Sequence, residues 1–299
     1  MPRFEIDFLS RKLVFAVISG ILLAIAIGAL AIQGLDFGIE FQGGTIVNIA
    51  TDAELSVGEV RDAFTEAGFR EPQVQSAEDG FIVRSSEADA DAANRGFGEV
   101  ATALGIDRDA GNVTTIGPGW GASVTRAALL ALILSVVAIL LYISLRFEYK
   151  MSITAVIALV HDIVIVLGIY SLSGRDVTPN TIAALLTIMG YSLYDTVVVF
   201  HRMKENSAHL VKSTFTSMAN HSINQVLVRT INTSLTSLIP VLVLLFFGGE
   251  TLKDFAFALT LGLVIGTYSS VGVASPIYAM WKEREPKFRA LAKKYAHTV

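Results

Sequence analysis

The sequence predicts a membrane protein in which an all-α bundle of six transmembrane helices carries one inserted α+β domain. Three observations lead to this fold class. Hydrophobic residues make up 53% of the 299 residues. They are concentrated in six blocks, each close to the roughly 20 residues that a membrane-spanning helix needs. The polar stretch after the first block contains most of the acidic residues, and its apolar residues are spaced as in a small water-soluble domain.

The first apolar block covers residues 13–32 and follows three basic residues, as the apolar core of a signal peptide would. The small residues at 29–31 even imitate a cleavage site. A signal-peptide core spans about 7 to 15 residues, however, whereas this block is long enough to cross the membrane. We therefore interpret residues 1–33 as a cytoplasmic N-terminus followed by an uncleaved first transmembrane helix.

Residues 34–122 are predicted to form an extracytoplasmic α+β domain. Gly44–Ala50 has the composition of a first strand. Ser56 and Glu59 form a capping box that begins a helix, and a second helix ends before Gly105. Further strands are expected around Val74, around Phe81 and Val83, and at Asn112–Ile116. The resulting order β-α-β-β-α-β is typical of a ferredoxin-like fold.

Five further apolar blocks follow, so six spans place both termini on one side of the membrane. Basic residues cluster in the loops and the tail on that side, which the positive-inside rule assigns to the cytoplasm. We expect transmembrane helices 2–6 within residues 123–281, followed by a basic cytoplasmic tail at 282–299. The five blocks are residues 127–145, 152–172, 179–200, 230–247 and 255–280.

Composition and motifs exclude several function classes. A net charge of −4, without a basic block outside the loops and termini, argues against nucleic-acid binding. The chain has no cysteine, which excludes disulfides, thiolate metal sites and cysteine nucleophiles. Phosphate-binding loops, zinc motifs and nucleophile elbows are also missing from the sequence. We therefore expect no enzymatic activity, no metal and no cofactor.

Asp195 is the first candidate functional residue because it lies within an apolar block. A charge within a bilayer costs from about 3 to more than about 10 kcal/mol, so such acids usually have a function. Arg229, at the inner start of the next block, is the candidate partner. A carboxylate that is alternately buried alone and paired with an arginine can take up a proton and release it. Tyr191 and Ser192 lie on the same helix face as Asp195, where they could hydrogen-bond its carboxylate or carry the proton.

Structural alternatives are open for these residues. Asp195 could form a helix–helix hydrogen bond without titrating, and Arg229 could be an interfacial anchor that reaches the lipid headgroups. Asp162, with His161 beside it, is a second intramembrane acid, for which a proton relay and a structural bond are both open. Adjacent residues project about 100° apart on a helix, so this pair is not a metal-binding pair of the i, i+4 type.

The last apolar block carries small residues at intervals of four, which places them on one helix face. Such a stripe lets another helix approach closely. The neighbour could be a helix of the same chain or one of a second subunit. The stripe consists of Gly262, Gly266, Ser270 and Ala274.

Six motifs occur in order along the chain. They are Gly38–Thr45 (GIEFQGGT), Arg146–Tyr149 (RFEY), His161 with Asp162, Gly190–Phe200 (GYSLYDTVVVF), Arg229-Thr230 with Thr233-Ser234, and Phe247–Glu250 (FGGE) with Gly266–Ser270 (GTYSS). With this order and topology, the chain resembles the SecF members of the SecD/SecF protein-export family nearly end to end. Glu40 and His201 stand where the family commonly has aspartate, so no role is assigned to His201.

The resemblance implies half of a transporter of the resistance-nodulation-division (RND) type. SecD would supply the other six spans, and the pair would use the proton-motive force to promote late-stage preprotein translocation across the bacterial cytoplasmic membrane. The SecYEG channel, the SecA motor and the unfolded preprotein would be further partners, besides the lipid bilayer. The resemblance also assigns the proton-pathway pair of the family to Asp195 and Arg229.

Three other functions compete with this one. An RND-type proton-coupled exporter of lipids or small molecules would carry a similar acid, but such exporters combine both six-span halves in one chain. An intramembrane aspartyl protease would use Asp195 and Asp162, but its Gly-x-Gly-Asp motif is missing from the sequence. A scaffold without ion coupling would tolerate neutral replacements of Asp195 and Arg229.

Overall fold

The structure is a computed structural model that describes residues 5–77, 79–87 and 89–295. It consists of two compact units. One is formed by the residues up to Asp36 and from Leu132 onward, and the other by Phe37–Ala131. In the described part of the chain, six helices are long and apolar enough to cross a membrane, which confirms the predicted number of spans.

Helices make up most of the first unit, whereas the second unit combines helices with a sheet. In chain order the elements are α1 (Lys12–Ile32), α2 (Ile39–Gln42), β1 (Gly44–Ala50), α3 (Val57–Glu66), β2 (Gln73–Ala77), β3 (Gly80–Ser85), α4 (Ala90–Leu104), a 3-10 turn (Arg108–Ala110), β4 (Gly111–Ile116), α5 (Pro118–Arg146), α6 (Tyr149–Ser173), α7 (Pro179–Ala208), α8 (Phe215–Phe247), α9 (Glu250–Ser269), a π-helical segment (Ser270–Ala274), α10 (Ser275–Glu283) and α11 (Pro286–Tyr295).

The sheet of the second unit has, among the described residues, four antiparallel strands in the order β2-β3-β1-β4. Strand β1 pairs with β3 on one side and with β4 on the other, so that Val47 lies opposite both Val83 and Val113. Helices α3 and α4 contribute Phe64 and Phe97 to the apolar core of this unit. The strand order and directions confirm the ferredoxin-like fold that the sequence predicts.

Local signals determine where the two longer helices of this unit begin and end. The Ser56 hydroxyl accepts a hydrogen bond from the Glu59 N–H at 3.2 Å, and the Ser56 N–H donates to Glu59 Oε2 at 2.8 Å. The bond from the Ser56 N–H, foremost, and a second one from the Ser56 hydroxyl to Glu59 Oε2 at 2.8 Å hold the pKa of the Glu59 carboxyl below its ordinary value. Gly105 ends α4 with a φ of 68°, a left-handed conformation that glycine adopts without steric cost.

The helices of the first unit pack through small residues. The most extensive contacts join α7 to α9 and α1 to α6. A Cβ added to Gly168 in α6 would collide with α1, and one added to Gly262 in α9 would collide with Ile188 of α7. Gly266 and Ser270 also face α7. The small-residue stripe of the last block therefore contacts a helix of the same chain.

The segment before α1 is held against the first turns of α8 through its backbone. Asn220 Oδ1 accepts from the Phe8 N–H at 2.9 Å, and Asn224 Oδ1 accepts from the Ile6 N–H at 2.9 Å. Helix α8 consequently begins well before the apolar block predicted at 230–247. Tertiary hydrogen bonds stabilise these polar turns, and a hydropathy pattern does not detect such bonds.

A cluster of ion pairs joins the turn between α5 and α6 to α10 and the start of α11. Lys150 Nζ lies 2.7 Å from Glu285 Oε1, and Lys282 Nζ lies 2.6 Å from Glu148 Oε2 and 2.9 Å from Glu285 Oε1. Partial burial alone would raise the pKa of Glu285, but the hydrogen bonds from the two lysines outweigh it, so this pKa lies below its ordinary value. The described part of the predicted tail thereby packs on the bundle.

Candidate functional site

Asp195 lies in a cavity of about 490 Å³ between α7, α8 and α9. Its side chain is nearly buried, since the residue is only 7% exposed. The Ser234 hydroxyl of α8 lies 3.3 Å from Asp195 Oδ2, within donating distance. The Thr267 hydroxyl of α9 lies 2.7 Å from the Ser234 hydroxyl. The carboxylate therefore lies in a polar pocket of the bundle, where each of the two neighbouring helices contributes a hydroxyl.

Arg229 lies on the neighbouring helix α8, but its guanidinium contacts the residue next to Asp195. Arg229 Nη2 donates to the Tyr194 hydroxyl at 2.8 Å, and its guanidinium carbon lies 6.0 Å from the centre of the Tyr194 ring. Among the described residues, this guanidinium makes no hydrogen bond to Asp195. The direct pairing of Arg229 with Asp195 stays a prediction.

Tyr191 and Ser192, the two candidates beside Asp195, lie in different surroundings. Tyr191 is exposed and lines the same cavity as Asp195. Ser192 also lines this cavity, but its hydroxyl donates to Asp162 Oδ2 at 2.6 Å. The hydroxyl three residues before Asp195 is therefore committed to the carboxylate of another helix.

Asp162 is fully buried, and its carboxylate has three polar contacts. Oδ2 accepts from Ser192 and from Ser269, the latter at 2.8 Å. Oδ1 lies 2.9 Å from Nδ1 of His161. Buried carboxylates need such partners, because an unpaired one loses its hydration without compensation. Although residues 161 and 162 project from different faces of α6, the histidine ring reaches back to its neighbour.

Two consecutive serines at the end of α9 contact two different helices. Ser269 bonds to Asp162 of α6, whereas the Ser270 hydroxyl lies 2.9 Å from the Thr196 hydroxyl of α7. Adjacent residues of a helix project about 100° apart, so the two side chains point to different neighbours. A π-helical turn follows, in which the N–H of Ser275 bonds to the carbonyl of Ser270, five residues earlier.

Metal binding finds no basis in these side chains. Among the described residues, no group of three or more histidine, aspartate and glutamate side chains is arranged to hold a metal ion. The carboxylates, the imidazole and the hydroxyl groups of the site can bind and transfer protons, and the guanidinium supplies a fixed positive charge.

Comparison with protein families gives two matches. The family described as protein export membrane protein SecD/SecF, C-terminal, matches residues 97–284, which is more than half of the chain. The SecD/SecF GG motif matches residues 28–54.

Curated relatives agree with these families. The protein translocase subunit SecF of Streptomyces coelicolor is 38% identical over 297 residues, which cover 96% of this chain and 80% of the relative. The subunit of the same name from Thermodesulfovibrio yellowstonii is 39% identical over 287 residues, which cover 93% of this chain and 95% of the relative.

A solved structure shows the same fold. The crystal structure of SecDF, a translocon-associated membrane protein from Thermus thermophilus, superposes with a TM-score of 0.87 at 34% identity. The match covers 94% of this chain and 39% of that chain, so this chain spans about two-fifths of the length of the solved protein. From its sequence and its fold, the chain belongs to the SecD/SecF family of protein export membrane proteins.

Proposed function

We propose that the chain is one half of a proton-driven machine that promotes late-stage preprotein translocation across the bacterial cytoplasmic membrane. Family membership supports a role in Sec protein export. The observation that carries the proton coupling is the carboxylate of Asp195, nearly buried in a polar cavity of a transmembrane bundle. A carboxylate in such a place is costly unless its charge can be neutralised, and a proton neutralises it.

The neighbouring groups suggest how protonation drives a structural change. The ionised Asp195 carboxylate attracts the guanidinium of Arg229, whereas the protonated form does not. With the carboxyl neutral, Arg229 keeps its hydrogen bond to Tyr194. Asp195 and Tyr194 lie on α7, and Arg229 lies on α8. Binding and release of a proton at Asp195 therefore change the contact between these two helices. Ser234 supports both states, since a hydroxyl donates to a carboxylate and accepts from a carboxylic acid.

We propose SecD as the partner that supplies the other six spans. Helix α8 presents Val228, Leu235 and Ile239 to the outside of the chain, together with the exposed Arg229. A guanidinium facing hydrocarbon is strongly unfavourable, so this face of α8 is better suited to another protein subunit than to lipid. The solved relative named SecDF contains this fold as about two-fifths of its chain, which leaves room for such a partner in one polypeptide.

The remaining partners follow from family membership. We propose that the complex acts with the SecYEG channel and the SecA motor on an unfolded preprotein. Both termini lie in the cytoplasm in this proposal, because the basic loops and tail share one side of the membrane. The ferredoxin-like unit then faces outward, where a preprotein emerges from the channel.

The test replaces Asp195 by asparagine in the complex with SecD. Export is measured in membrane vesicles that contain a preprotein arrested partway, with ATP removed and with or without a proton gradient. Asp195→Asn should abolish the gradient-dependent completion of export while its protein level stays normal, because asparagine keeps the size and polarity of the side chain but cannot take up a proton.

A matched control makes the same change at Asp254→Asn. This residue also lies on a transmembrane helix, but its carboxylate pairs with Arg175 at 2.8 Å, away from the cavity. The control should export as the unmodified chain does. Gradient-dependent export at the normal rate by Asp195→Asn would refute the proposed function.

A further inference from the structure

A second cavity, of about 580 Å³, lies between α1, α6 and α10. Its walls are mostly apolar, and the polar exceptions are Lys12, Ser19 and His161. It is separate from the cavity of Asp195, since the two share no lining residue among those described. The buried side chain of His161 forms part of its wall.

His161 has one engaged ring nitrogen and one unpartnered ring nitrogen. It is 5% exposed, and Nδ1 contacts the Asp162 carboxylate. When the Asp162 carboxylate is ionised it only accepts hydrogen bonds, so Nδ1 then carries the hydrogen and Nε2 holds a lone pair. Nε2 is buried and has no hydrogen-bond partner among the described residues. A basic nitrogen without a partner at the wall of a cavity is a site for a proton or for a proton donor.

The same pair of residues reaches the first cavity on the other side. Asp162 Oδ2 accepts from Ser192 at 2.6 Å, and Ser192 lines the cavity that contains Asp195. The contacts therefore run without a gap from the second cavity through His161, Asp162 and Ser192 to the first cavity.

We propose that His161 and Asp162 form a proton relay between the two cavities, which deepens the proposed function and rests on it. Nε2 of His161 takes up a proton that enters through the second cavity, and the Nδ1 proton then passes to Oδ1 of Asp162. The neutral carboxyl group turns its O–H towards Ser192 and donates to that hydroxyl, whose own proton leaves to the first cavity. One proton enters and one leaves, and the imidazole, now with its hydrogen on Nε2, rotates back to its starting tautomer before the next transfer.

Few other charged or titratable groups face this pair. From α9, the Tyr268 ring lies 6.3 Å from the imidazole ring, and its hydroxyl lies 2.9 Å from that of Ser19 on α1. Lys12 of α1 lies in the wall of the second cavity, and Asp195 of α7 lies in the first. The residues that α10 contributes to the second cavity are apolar: Pro276, Ile277 and Met280.

The test replaces His161 by asparagine in the complex with SecD. The asparagine amide donates to Asp162 as Nδ1 does, but it does not bind a proton. We expect gradient-driven export to fall by roughly 100-fold, the usual effect of removing a positioned proton-transfer group, with normal protein level and thermal midpoint. His201→Asn is the matched control, because His201 is exposed on α7 and contacts neither cavity. It should export normally.

The outcomes separate the relay from the proposed function. If His161→Asn keeps the rate and the pH profile of the unmodified chain while Asp195→Asn is inactive, the relay is wrong and the proposed function stands. If both variants keep gradient-driven export, the proposed function itself fails. Nitrogen-15 spectra of histidine-labelled, unmodified complex give an independent measurement: the relay requires a His161 ring with its hydrogen on Nδ1 and a lone pair on Nε2, and a ring with its hydrogen on Nε2 alone would overturn it.

Discussion

Replacing Gly266 by alanine should loosen the packing of α9 against α7. A Cβ at this position would lie 2.9 Å from Cβ and 3.2 Å from Cα of Ser192, closer than real Cβ contacts. The atoms it meets belong to the backbone of α7 or adjoin it, so the helices must separate. Overpacking costs about 1–3 kcal/mol, and the helix preference of alanine over glycine returns about 0.5–1 kcal/mol. We expect a net loss of roughly 1–2 kcal/mol in the free energy of unfolding.

The assay is reversible unfolding of the purified full chain in mixed micelles. Gly20→Ala is the control, because a Cβ added there meets nothing within 4 Å. Gly262→Ala should cost at least as much as Gly266→Ala, because its Cβ would collide with Cγ1 and lie 2.6 Å from Cγ2 of Ile188, a buried β-branched side chain with little rotamer freedom in a helix. If Gly266→Ala unfolds at the same denaturant concentration as Gly20→Ala, the close approach of α9 to α7 does not limit stability and the reasoning fails.

Two further predictions concern the ion-pair cluster and the α+β unit. With its pKa lowered, Glu285 contributes stability that is fully present above the ordinary glutamate pKa of 4.5 and is lost as the pH falls through the folded-state value. The protection of the α11 amides, corrected for the intrinsic slowing of exchange at low pH, should therefore fall on acidification, and Glu285→Gln should remove that pH dependence; an unchanged dependence would contradict the assignment. Ser56→Ala removes the hydroxyl that caps α3 and should cost about 1 kcal/mol. Faster exchange confined to the first turn of α3 would support this, whereas exchange equal to that of the unmodified chain would not.

Local signals in the sequence predict most of the α+β unit. Strand β1 has the predicted limits of Gly44 and Ala50, and Ser56 and Gly105 mark helix ends as expected. Each of these signals depends on a few adjacent residues. They are readable because capping and turn chemistry act over one helical turn.

The extents of the transmembrane helices are less predictable, because hydropathy detects only their apolar parts. Helix α7 continues to Ala208 and α8 begins at Phe215, and both extensions are polar. In one of them Arg202 Nε donates to Gln225 Oε1 at 2.5 Å, a contact between the end of α7 and the start of α8. Pairings across 23 residues depend on how two helices are rotated, which a single sequence does not contain.

The candidate site is likewise only partly predictable from the sequence. Asp195 and Asp162 are identifiable from the sequence because a carboxylate in an apolar block is costly. Their partners are not identifiable, because Ser192 lies three residues before Asp195 and yet bonds to Asp162. Ser269 escapes prediction because it bonds to Asp162 across 107 residues, a pairing that depends on how α6 and α9 pack.

The wide turn at Ser270–Ala274 has a mechanical consequence for the end of the chain. Rewinding it to ordinary α-helix would rotate α10 by about 100° and shift it by about 1.5 Å along its axis. Lys282, near the far end of α10, is tethered to Glu148, and Glu285, just after α10, is tethered to Lys150, so that rotation would pull both ion pairs apart. The ion pairs at the end of α10 therefore oppose rewinding of the π-helical segment. The segment can rewind only when those ion pairs open.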